Sequence, residues 1–308
     1  MRKRIIIFSI VLAILAALLV PATASANTGI NGNQDDCNGN VNKYAIIVGI
    51  SNYPGPLNVL QGGLDLFYAA KDADAMRTAL IDHGFRPDNI SVITDRQATK
   101  DNILDQIQKV RDEAGPRDEV VFYFSGHGVI PDAPPSDPVA GLWPNMAPKS
   151  SNVGLLVWGD NGQPVVIFNT ELQQAFSGYK TDRIVLGFDS CWAGRFSDVA
   201  GPGRVVVMAS GSASDDIAGE YGQAYASLGV GPIPGIGWMN EGIFTYFFVV
   251  QEVTEGLAPN LNGDKVISVE EAFDYTQYVL SQYTSLMSSF GLNEVPVMID
   301  ESSGNFHL

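Results

Sequence analysis

Apolar residues along this chain fall into two alternating rhythms, short unbroken runs and helix-spaced repeats. The runs at Lys43–Ile50 (KYAIIVGI), Asn89–Thr94, Asp118–Phe124 (DEVVFYF), Arg183–Phe188 (RIVLGF) and Val205–Ala209 read as buried strands. A strand covered on both faces has no polar side to present. Leu64–His83 carries Leu66, Ala69, Ala70, Ala73, Met76 and Leu80 at helical spacing and stops at Gly84. Thr99 caps a second helix, running to about Asp112, with Ile103, Ile107 and Val110 on one face. Strand, helix, strand, helix, strand predicts an α/β fold with a parallel sheet and right-handed crossovers.

The second half is less regular. Val153–Trp158 predicts a short strand or hairpin arm, and Asn169 caps a helix at Thr170–Phe176. Gly242–Glu255 is apolar nearly all round and reads as a buried helix. A long helix runs from about Ser268 to Met287, and Val295–Ile299 is an edge strand. Three stretches, Pro131–Ser151, Gly194–Arg204 and Gly211–Gly237, show no period and read as loops. The first follows His127 directly and is placed to wall a cleft.

Composition adds an address rather than a reaction. Arg2-Lys3-Arg4, the apolar run Ile5–Val20 and Ala24-Ser25-Ala26 have the form of a secretory signal peptide cleaved after Ala26. The run is shorter than the ~20 residues a spanning helix needs. With it removed, no stable membrane span is expected, and the protein is read as secreted. A polar, flexible tail (residues 27–42) and one domain (residues 43–308) remain. The formal charge is −16, or −19 without the three basic leader residues, which disfavours nucleic acid and anionic lipid. Cys37 and Cys191 are the only cysteines. Pairing Cys37 in the tail with Cys191 would block the end of a core strand, so a disulfide is not expected. There is no C-x-x-C and no paired His for a transition metal.

Candidate chemistry concentrates at strand ends. Arg183–Phe188 stops on Asp189-Ser190-Cys191, and chemistry in open α/β sheets sits at the carboxyl ends of strands. Of three histidines, His307 is at the chain end and His83 closes a helix. His127 alone follows a central strand, flanked by Gly126 and Gly128. One thiol and one imidazole at two strand ends of one sheet suit a Cys–His hydrolase.

These residues carry a resemblance. FYFSGHG (Phe122–Gly128) and DSCWAG (Asp189–Gly194) are similar to the His and Cys boxes of the caspase-like cysteine peptidases, most of all the metacaspases and their prokaryotic relatives. YAIIVGI, LFYAAKDADAMRTAL and ASGSASDDIAGE…GIFTYFF fit the same pattern, from about Lys43 to Gln251. The resemblance implies a three-layer αβα sandwich around a mostly parallel sheet of about six strands, the caspase–haemoglobinase fold. It implies Cys191 as nucleophile and His127 as proton donor, with the N–H groups of Gly128 and Cys191 forming an oxyanion hole. It also implies a P1 pocket built from Asp189, Asp72 in the box Lys71-Asp72-Ala73, and Ser125. The family's usual box has Asn where Lys71 stands. Two carboxylates in one slot would hold Arg or Lys. Arg195 and Arg204 lie about where relatives are cut, so self-cleavage there is open.

One further stretch, Asn260–Glu271, resembles an EF-hand loop. Asn260, Asn262, Asp264, Ser268 and Glu271 take the side-chain ligand positions, and Val266 supplies a carbonyl. The alternative is a helix cap made by Ser268 and Glu271. Calcium is thus a candidate ligand, while no cofactor is required for the chemistry. The favoured reading is a secreted endopeptidase acting on proteins or peptides after Arg or Lys. A silent partner-binding module and a legumain-like Asn-specific peptidase are the alternatives. No G-x-S-x-G, Walker loop or dinucleotide fingerprint occurs.

Overall fold

The computed structural model describes residues 41–54, 65–130, 153–209, 241–254, 260–261, 263–264, 266–288 and 295–306. In chain order its regular elements are β1 (Lys43–Gly49), α1 (Ala69–Asp82), β2 (Ile90–Thr94), α2 (Lys100–Glu113), β3 (Glu119–Ser125) and β4 (Gly128–Val129). Then come β5 (Gly154–Trp158), β6 (Pro164–Phe168), α3 (Asn169–Ala175), β7 (Ile184–Asp189) and β8 (Arg204–Met208). Last are α4 (Ile243–Thr245, continuing as the π-helix Tyr246–Thr254), α5 (Val269–Ser288) and β9 (Val297–Asp300).

Six strands form one sheet in the order β2-β1-β3-β7-β8-β9. All neighbours are parallel except β9, which runs antiparallel to β8 at the edge. Alternate side chains along each strand feed two cores. Ile46, Val48, Phe122, Phe124, Leu186 and Phe188 face the layer carrying Ile103, Ile107 and Val110 of α2 and Leu172 of α3. Ala45, Ile47, Val121, Tyr123, Val185 and Val205 face Ala73, Met76 and Leu80 of α1, with Phe244 and Phe248 of α4. This is the expected αβα sandwich, and a period of two on strands with 3.6 on helices produces it.

Several local expectations are corrected. Helix α1 begins at Ala69 rather than at Leu64. Ser51 accounts for this: its carbonyl accepts Leu66 N–H at 2.6 Å and its hydroxyl accepts Ala70 N–H at 2.9 Å, tying the approach to the end of β1. Asn169 is not the cap of α3. Glu171 Oε2 accepts Phe168 N–H at 3.0 Å, while Asn169 donates to Asp198 at 2.9 Å. The strand at Val153–Trp158 has a partner that the sequence did not announce, β6, and with β4 they make a separate antiparallel sheet. The stretch after Cys191 is not an open loop: Ala193–Val199 is a 3-10 helix with Phe196 and Val199 buried. Cys37, the leader, and the expected loops at Pro131–Ser151 and Gly211–Gly237 lie outside the described residues. Among the described residues, no helix is long and apolar enough to cross a membrane.

Candidate active site

Strands β3 and β7 pair in parallel with Ser125 opposite Asp189. His127 and Cys191 each lie two residues past that pair, so the register delivers both to one end of the sheet. The ladder continues as Gly126 N–H donates to the Asp189 carbonyl at 3.1 Å. Beyond it the two backbones touch. A Cβ on residue 128 would sit 1.8 Å from the Cys191 carbonyl oxygen, so only glycine lets His127 and Cys191 come this near.

His127 is buried and Cys191 partly so. The His127 backbone is held on both sides: its N–H donates to Tyr53 Oη at 2.9 Å, and its carbonyl accepts Leu156 N–H at 2.9 Å. The Tyr53 ring also lies 4.8 Å from the imidazole, centroid to centroid. Tyr53 is in turn fixed by a turn clamped to Asp95, whose Oδ1 accepts Ser51 and Asn52 N–H at 2.8 Å each. Trp158 Nε1 donates to the Asn52 carbonyl at 2.9 Å, joining that turn to the small sheet. After Cys191 the chain turns sharply, with Trp192 left-handed at φ 61°. A non-glycine residue there holds about 1–3 kcal/mol of strain, tolerated where surroundings fix it. Trp192 is buried, with the Arg195 guanidinium over its ring at 5.5 Å.

On the α1/α4 face beside this end sit two buried acids. Asp72 on α1 accepts Ser125 Oγ–H at 2.6 Å and Gly242 N–H at 2.8 Å. Asp189 accepts the Thr245 hydroxyl at 2.6 Å and is also hydrogen-bonded by Thr245 N–H. Gly242 and Thr245 begin α4, so both acids occupy the first turn of one helix, where unsatisfied N–H groups favour anions. Burial pushes Asp189 up to about 6, against hydrogen bonds from Thr245 that pull it down. Burial first, then the Asp189 charge, holds Asp72 well above the usual carboxylate range. Neither acid has an ion pair among the described residues. Lys71 does not neutralise Asp72; it is exposed, with its ammonium 5.1 Å from the Tyr68 ring centroid.

Residues 42–150 match the caspase domain. Metacaspase-1 of Lodderomyces elongisporus is 37% identical over 117 residues, which cover 35% of this chain and 24% of that protein. Metacaspase-1 of Candida albicans is 35% identical over 117 residues, with the same coverage of 35% and 24%. Over about a third of its length the chain is similar to metacaspases. It spans about a quarter of the length of these relatives. A crystal structure of a protein from Geobacter sulfurreducens shares the fold at a TM-score of 0.53 and 12% identity, covering 87% of this chain and 97% of that one. The segment matched by the caspase domain contains Asp72, Ser125, His127 and Gly128; Asp189 and Cys191 lie beyond it.

The two arginines considered for self-cleavage are not in an open segment. Arg195 lies within the 3-10 helix Ala193–Val199, and the half-buried Arg204 starts β8, donating to the Val199 and Phe176 carbonyls at 2.8 Å each. The Asn260–Glu271 loop shows the reciprocal bonds of a capping box: Glu271 N–H donates to Ser268 Oγ at 3.2 Å and Ser268 N–H to Glu271 Oε2 at 3.1 Å. Glu271 Oε1 accepts Leu261 N–H at 2.7 Å, and Asp264 Oδ1 accepts Val266 N–H at 2.8 Å. The Asn260 amide lies 3.4 Å from both Asp264 Oδ1 and the Val266 carbonyl. Asn262 lies outside the described residues. The Ser268 and Glu271 bonds are those of the helix cap that the sequence offered as the alternative to a calcium loop.

Sequence reading did not single out Tyr53, Tyr123 or Thr245. Tyr53 had one signal, an aromatic in the Pro-rich loop after a strand's carboxyl end. Thr245 had another, a hydroxyl inside an otherwise apolar helix.

Proposed function

We propose that this chain is an exported cysteine endopeptidase that cuts after Arg or Lys. The observation that carries the specificity is the pair of buried carboxylates, Asp72 and Asp189, without an ion pair among the described residues and beside the strand ends that bear His127 and Cys191. Asp189, slightly exposed, would meet a basic P1 side chain first; Asp72 lies deeper. A guanidinium offers paired donors to such a slot and an ammonium a compact charge.

In this reading the Cys191 thiolate attacks the scissile carbonyl carbon and an S–C bond forms. The N–H groups of Gly128 and Cys191 receive the developing oxyanion. His127 gives a proton to the amine as the C–N bond breaks, leaving a thioester. A water that loses its proton to His127 then attacks the thioester, and the acid product leaves as the thiolate is restored beside the protonated His127.

A panel of fluorogenic peptides differing only at P1, run against the parent and Cys191→Ala, tests this. Turnover after Arg and Lys by the parent alone is the expected result. Preference for Asn would move the chain to a legumain-like specificity, and preference for Asp would discard the acid pocket. No turnover of any peptide would favour a partner-binding module. Export is tested separately: the N-terminus of protein recovered from medium should be Asn27.

A further inference from the structure

The two pocket acids have matching partners, one backbone N–H and one hydroxyl each, yet the hydroxyls differ. Ser125 lies on β3 and reaches Asp72 without further support among the described residues. Thr245 is locked from behind. Its hydroxyl has one proton, which goes to Asp189 Oδ2. The short contact between Thr245 Oγ1 and Tyr123 Oη therefore has Tyr123 as donor. Tyr123 retains that proton, since burial and then the Asp189 charge hold its phenol well above its usual range. Its ring has room because residue 187 is glycine: a Cβ there would lie 3.0 Å from Tyr123 Cδ2. The result is a directed chain, Tyr123 to Thr245 to Asp189, wholly buried.

Resting on the basic-P1 reading above, we propose that Thr245 is a positioning residue for specificity: with Tyr123 behind it, its hydroxyl keeps the pocket's negative charge on Asp189 at neutral pH. Two carboxylates this near and this buried do not readily ionise together. Which one carries the charge depends on the donors aimed at each. Among the described residues, the other groups facing the pair are Glu241, ahead of α4, which adds negative charge near Asp72, and Ser125 on β3. His127 and Cys191 lie two residues beyond the pair along β3 and β7. Removing the Thr245 hydroxyl leaves Asp189 buried with one donor fewer, and Tyr123 without its acceptor.

The test uses Thr245→Val, which keeps shape and backbone N–H, and Thr245→Ser, which restores the hydroxyl. Binding of a P1-Arg peptide is measured from pH 5 to 9 in a Cys191→Ala background, so that the thiol does not contribute. Turnover is measured in parallel in the active forms. In Thr245→Val the acidic limb of binding should move up by about one pH unit, a loss of roughly threefold at pH 6.5 that approaches about tenfold at pH 5 and disappears by pH 8.5. In turnover it should fall on KM rather than kcat. Thr245→Ser should recover most of it, and Tyr123→Phe should shift the limb the same way by less. A limb at the same pH in Thr245→Val, or a loss equal at every pH, overturns this inference while basic specificity stands. Absence of P1-Arg binding and turnover in the parent at all pH values overturns both.

Discussion

The two ends of strand β3 treat buried carboxylates in opposite ways. At the amino end, Glu119 is nearly covered, yet Lys43 Nζ lies 3.1 Å and Arg183 Nη2 2.6 Å from its oxygens. Beside it Asp118 accepts Asn42 N–H and Gly115 N–H at 2.8 Å each. At the carboxyl end, Asp72 and Asp189 are as deeply buried, the charge of Asp189 acts on Asp72, and both have hydroxyls and amides but no cation among the described residues. Burying a charge is tolerated when a partner comes with it. The fold supplies that partner where it needs only to cohere. Among the described residues it leaves the charge unmatched beside Cys191, where the proposed basic P1 side chain would complete the set.

The sharpest way to break this contrast is at Asp189. Asp189→Ala should reduce cleavage after Arg on the order of a hundredfold or more, in peptide kinetics, because it removes a buried ion-pair partner. The same acid should weaken the unliganded fold. Its folded value, about 6, lies above the unfolded value near 3.8, so between these the folded state holds more protons. Stability from this group is therefore present below about pH 4 and lost as pH rises through 6. Asp189→Asn should flatten that fall and raise the melting temperature at pH 7 by a few degrees, at about 2–4 °C per kcal/mol for a chain of this size. Thermal melts at pH 4.5 and 7 read both effects.

Glu119→Gln is the mirror experiment. It should lower stability by about 1–2 kcal/mol in urea melts, discounted because both cations are partly exposed, and leave P1 preference unchanged. Tyr53→Phe removes the acceptor for His127 N–H. Turnover should fall by roughly five- to tenfold, the value of about one hydrogen bond, with P1 preference intact. The smallest effect is expected at the 260–271 loop. Millimolar calcium should shift the melting temperature no more than magnesium does; a calcium-specific rise lost in Glu271→Gln would restore the cation reading.

How much of this the sequence disclosed depended on range. Strands β1, β3 and β7 were plain because each is an unbroken apolar run, and Thr99 was plain because its cap is local, accepting Asn102 N–H three residues on. His127 and Cys191 were found because each sits just past such a run. The 3-10 turn after Cys191 was hidden because AGRFSDV has no repeating face, and only tertiary burial of Phe196 folds it. Strand β6 was hidden behind its leading proline, which an edge position tolerates. Tyr53 and Thr245 act on partners 74 and 56 residues away, a distance no window along the chain can see.

The placement of β8 has a bearing on what a nick would do. Its ladder to β7 runs from Ile184 opposite Arg204 to Phe188 opposite Met208, and on its other side β9 pairs Val205 to Met208. A chain severed anywhere between β7 and β8 would keep both ladders. Its two fragments should travel as one species in native gel filtration and part only in denaturant, so intact size under native conditions would say nothing about whether the polypeptide had been cut.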